Sequence, residues 1–183
     1  MNTSERPLQD PILNAYRKVV DELFQAQSHC IIANGSAGHA AVLYANLFHY
    51  AQKEVRIFCH CLNPEVFDQP EVLAAARKFL EAGKTLYIAV QEEPEELTHF
   101  LDLILEEDFD EQVFIWKGKE YRGTNGKLLN FAVMDETAYR FEPDRERQEA
   151  IASANDPDFA KRLVKAFQEV ITNEPLAAEI EAS

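Results

Sequence analysis

Between residues 29 and 90 three short apolar segments alternate with two helix-length stretches, and this alternation restricts the fold more than any other feature of the chain. The segments at 29–33, 55–61 and 85–90 have strand length. The stretches between them, 37–52 and 70–82, carry apolar side chains at helical spacing, as in Val72, Leu73, Ala76, Phe79 and Leu80. Apolar strands joined by amphipathic helices bury both faces of a sheet. The pattern therefore predicts an α/β sandwich of three layers with a mixed, largely parallel sheet. Ser36 is positioned to cap the helix that follows it, and Gly83 to end the next one in a left-handed conformation.

The remainder extends this plan. Asp10 and Pro11 open a helix over 10–26, with Ile12, Leu13, Tyr16, Val19, Val20, Leu23 and Phe24 on one stripe. A helix is expected over 94–107 with Leu97, Phe100, Leu101, Ile104 and Leu105 inward, then a strand over 112–116. Residues 128–134 and 138–142 read as a hairpin turning at Asp135, Glu136 and Thr137, and a final helix spans 157–172. At 183 residues with 46% hydrophobic content, the chain is expected to be one domain over 1–183.

Composition narrows the function classes. No apolar run approaches the length of a membrane span, and the first seven residues lack the apolar core of a signal peptide, so a cytoplasmic protein with no membrane association is expected. Cys30, Cys59 and Cys61 read as reduced thiols. No zinc-like ligand set accompanies the Cys59-His60-Cys61 triplet, so neither a metal nor a cofactor is expected. The formal charge is −14, and residues 85–116 contain no Lys or Arg, which argues against nucleic acid as a partner. The sign reverses in the following loop at Lys117, Lys119, Arg122 and Lys127.

Residues 127–135, Lys-Leu-Leu-Asn-Phe-Ala-Val-Met-Asp, resemble the signature strand of the phospholipase D-like superfamily, His-x-Lys-x4-Asp. The resemblance places Leu128 at the nucleophilic His, Asn130 at the phosphate-holding Lys, and retains only Asp135. Further similarity in order and spacing covers 34–57, 67–88 and 131–167. It implies the family's fold without its phosphohistidine chemistry, because Leu cannot attack phosphorus. Two such motifs normally meet across a two-fold axis, so a one-motif chain implies a homodimer or a protein partner, the apolar motif face gaining from contact. Alternation puts Leu128, Asn130, Ala132 and Met134 on one face of that strand and Leu129, Phe131 and Val133 on the other.

Two function classes follow. The first is a non-catalytic interaction or scaffold module in a bacterial cytoplasmic system. The second is a small-molecule or phosphate-ligand binder, or an enzyme, built on the turn of Asn34, Gly35, Ser36 and His39, where a helix start favours anions, together with the basic loop of Lys117, Lys119, Arg122 and Lys127.

Overall fold

The structure is a computed structural model that describes residues 10–175 apart from 93, 95, 96 and 148. Its elements run α1 (Pro11–Gln25), β1 (Ile31–Asn34), α2 (Ala37–Tyr50), β2 (Glu54–Cys59), α3 (Pro64–Phe67), α4 (Pro70–Glu81), β3 (Thr85–Val90), α5 (His99–Ile104), β4 (Val113–Gly118), β5 (Asn130–Met134), β6 (Ala138–Asp144), β7 (Glu149–Ser153), α6 (Pro157–Val170) and β8 (Ile171–Pro175). Together the strands form one eight-stranded sheet in the order β1-β7-β6-β5-β2-β3-β4-β8.

The sheet is mixed, as the alternation predicts, but its parallel share is smaller than expected. Among the described residues only β2–β3 and β3–β4 pair in parallel; the other pairings are antiparallel. The cause lies in the second half of the chain, where β5, β6 and β7 form a meander of adjacent antiparallel strands that enters the sheet beside β2.

The two sheet faces are covered unequally. Helices α1 to α5 pack on one face with Val55, Ile57, Leu86, Ile88, Ala132 and Met134 in a continuous core. Among the described residues, helix α6 is the helix that covers the other, through Ala160, Leu163, Val164 and Phe167 against Phe58, Phe131, Val133 and Tyr139. Apolar residues remain open on either side of it: Phe114 is 40% exposed at one flank, and Ile31 and Ile151 are 59% and 37% exposed at the other. Tyr87, Phe114 and Trp116 stack in near-parallel planes across β3 and β4, with centroids 5.5 to 6.1 Å apart.

Local chemistry explains the element ends. Ser36 Oγ accepts from the His39 amide and starts α2. Gly83, at φ +75°, ends α4 with its amide donating to the Leu80 carbonyl, a backbone conformation that only glycine adopts without strain. Helix α5 begins later than predicted. Thr98 caps it, and the distant Asp68 carboxylate accepts from the His99 and Phe100 amides. Leu97 consequently precedes the helix and is 60% exposed rather than inward.

Candidate functional site

Where β1, β2 and β6 end and β5 begins, a cleft of about 320 Å³ opens between the sheet and α2 and α3. Ser36, Ala37, Ala40 and Tyr44 of α2 and its cap form one wall, and Val66 and Phe67 form another. Cys59, His60, Cys61, Asn130, Arg140, Glu142 and Arg145 line the floor and side. Openings at the carboxyl ends of strands are common ligand sites in α/β proteins, because loops and helix starts converge there.

The polar network is anchored on β6. Arg140 and Glu142 are two residues apart and share a face, both buried, with Arg140 Nη1 3.6 Å from Glu142 Oε2. Asn130 ties this pair to β2: its Nδ2 donates to Glu142 Oε2 at 2.8 Å, and its Oδ1 accepts from the His60 amide at 3.0 Å. The Arg140 guanidinium lies over the Tyr44 ring at 5.5 Å. His60 Nε2 is 3.2 Å from Glu92, and Arg145 donates to Gln91 Oε1 at 3.0 Å. Burial pushes the Tyr44 hydroxyl and the Cys59 thiol well above their ordinary ranges, with the Arg140 cation opposing the shift in each.

This network is incompletely satisfied. Among the described residues, buried side-chain atoms without a hydrogen-bond partner occur on Arg140 (Nε), His60 (Nδ1), Asn34 (both amide atoms) and Tyr16 (Oη). Arg140 and His60 line the cleft. Tyr16 lies near it, since the Arg140 cation partly opposes the burial that raises its hydroxyl to about 12.

The motif strand is shorter than predicted, with β5 starting at Asn130; Leu128, half-buried, makes an isolated bridge to Arg122, its carbonyl accepts from the Arg145 amide at 3.0 Å, and it lies outside the cleft lining. Ala132 and Met134 are buried within the chain's own core. Ala132 and Met134 thus need no partner to cover them, whereas Leu128 at the start of the same face is only half-buried. Asp135 holds φ +50° in the hairpin turn, and its carboxylate accepts from the Gln52, Lys53 and Glu54 amides at the start of β2.

The turn and the basic loop do not form one site. Ser36 borders the cleft, Asn34 is buried beside it in β1, Gly35 is exposed, and the His39 ring packs on Tyr16 at 4.2 Å. Lys117, Lys119, Arg122 and Lys127 do not line the cleft. Arg122 is engaged by Glu120, and Lys127 lies near Asp144 and Glu146, so acidic neighbours answer much of the loop's charge. No motif in the sequence marks Arg140, Glu142 and Arg145 as site residues. The available signal was opposite charges at alternate positions of a strand whose neighbours are apolar.

Comparison with solved structures bears on the fold. The chain is similar to Nuc from Salmonella typhimurium, a phospholipase D family member, with TM-score 0.51 and 12% identity over 80% of this chain and 95% of that one. It is also similar to NucT from Helicobacter pylori, with TM-score 0.53 and 9% identity over 78% and 96%. The fold is phospholipase D-like. A third similar structure is TrmBL2, an archaeal chromatin protein described as having a novel mode of DNA binding, with TM-score 0.55 and 12% identity over 86% of this chain and 61% of that one. No family model and no curated protein matches the sequence. Among the described residues of this phospholipase D-like fold, no helix is long and apolar enough to cross a membrane.

Proposed function

We propose that this chain is a non-catalytic phospholipase D-like protein whose motif cleft binds rather than cleaves. The observation that carries this reading is the state of the motif positions. Leu128 is outside the cleft, and the Asn130 amide is committed to Glu142 and the His60 backbone. The cleft does contain an imidazole, but its Nε2 faces Glu92 and its Nδ1 is shut away from solvent. A phosphohistidine mechanism needs an accessible imidazole nitrogen beside a cation free to hold the phosphoryl oxygens. The incompletely paired polar atoms support occupancy by a small ligand. The test is hydrolysis of bis(p-nitrophenyl) phosphate by the purified chain. We expect no activity above buffer; turnover that disappears in Asp135→Ala, with the variant still folded, would sink the proposal.

A second reading, as an interaction module for a protein partner or a second copy, is favoured by the sheet face that α6 covers only in part, where Ile31, Ile151 and Phe114 remain open. Ile31 and Ile151 lie on adjacent strands at one edge and Phe114 near the other, and exposed apolar surface such as the Ile31–Ile151 pair marks association sites. Substituting Ile31 and Ile151 by Ser should dissociate any complex found by light scattering. A complex that persists unchanged assigns association to another surface. The acidic charge supports a partner other than nucleic acid in either reading.

A further inference from the structure

Arg140 and Glu142 form an ion pair that is buried but poorly closed. Their side chains are about as secluded as the apolar core, with residue exposures of 5% and 7%, yet the charged atoms stand 3.6 Å apart, beyond the 2.7–2.9 Å of a well-made charge-assisted bond. Arg140 Nε is buried without a hydrogen-bond partner among the described residues. Desolvated charges that do not satisfy each other are costly, and a ligand that completes both is correspondingly favoured.

The charge of the lining restricts that ligand. Arg140 and Arg145 are set against Glu65, Glu142 and Glu146, so the cleft carries one more carboxylate than cations, and a phosphate dianion or a polyanion would meet net repulsion. Local polarity is nevertheless strong. Ser36 and Ala37 bring the positive end of the fourteen-residue helix α2 to the same cleft that the Arg140 side chain lines, while the Glu142 carboxylate takes a side-chain hydrogen bond from Asn130 on Oε2. A cation and an anion are thus presented side by side at a spacing close to that of the carboxylate and ammonium of an α-amino acid.

Building on the binding reading above, we propose that the cleft takes a small zwitterion of the α-amino-acid class, its carboxylate on Arg140 and the α2 start and its ammonium on Glu142. The test is thermal unfolding of the intact chain with each of the common α-amino acids at millimolar concentration. The matched amine lacking the carboxylate, the matched acid lacking the amine, and inorganic phosphate serve as comparisons. At least one amino acid should raise Tm where none of its singly charged analogues does. Glu142→Gln should weaken that binding by about tenfold or more. Because this variant can lose stability by itself, Ala37→Phe, which narrows the cleft from its half-buried wall without touching either charge, should also abolish the shift. A shift from phosphate or the acid alone, no shift from any amino acid, or a shift unaltered in Ala37→Phe would each overturn the proposal. Hydrolysis of the phosphodiester, in contrast, would overturn the binding reading itself, so the two failures are separable.

Discussion

Asp135 has a clear structural role in this fold. Its carboxylate collects three consecutive backbone amides, those of Gln52, Lys53 and Glu54, and so joins the β5–β6 turn to the entry of β2. Asp135→Ala should lower unfolding stability by about 2–3 kcal/mol in urea titration, since hydrogen bonds to a charged acceptor are lost together. Asp135→Asn should lose less, because Asn tolerates the same positive φ and keeps one acceptor oxygen. The three cysteines differ in how readily they react. Burial raises the Cys59 thiol and, less strongly, that of Cys61, so both remain protonated at neutral pH. Raising the pH toward and through the folded-state pKa should speed alkylation. In the native chain exposed Cys30 should react with iodoacetamide first, Cys61 more slowly, and Cys59 only on unfolding, as followed by mass spectrometry.

Helix α6 is the element on which one face of the sheet depends. Phe167 is buried against Trp116, the single tryptophan, with ring centroids 6.4 Å apart. Phe167→Ala should cost about 3–5 kcal/mol and move the tryptophan emission to the red as water reaches the indole. Most elements were legible from periodicity: β3 and the starts of α2, α4 and α6 fall where the sequence reading put them, because caps and apolar stripes are local signals. The strands β7 and β8 were not. Glu149–Ser153 is rich in alanine and has little strand propensity of its own; it is a strand because it fits between β6 and β1. Ile171 continues the apolar stripe of α6, so the helix was expected to reach residue 172. Instead the backbone turns extended at Ile171 and pairs with Gly118.

For the whole molecule, the layered architecture was visible in the sequence, while the cleft chemistry was visible only in outline. Ser36 could be placed at a helix start from local signals, but the convergence of Arg140, Glu142 and Asn130 depends on the register of β5 against β6, where Asn130 faces Glu142. Register is a property of the assembled sheet. That assembly has a consequence in time. Among the described residues the edge strand β1 has β7 as its one neighbour, with Ile31 opposite Ser153, and α6 follows later still. During synthesis, therefore, Phe58, Phe131 and Val133 emerge well before the helix that shelters them, and β1 waits with both its edges unpaired. Long-range pairing of this type folds slowly and leaves sticky intermediates. A chain stopped at Asn155 should appear chiefly in the insoluble fraction on expression, whereas the full chain should not, and the yield of the full chain should respond to chaperones that hold nascent apolar surface.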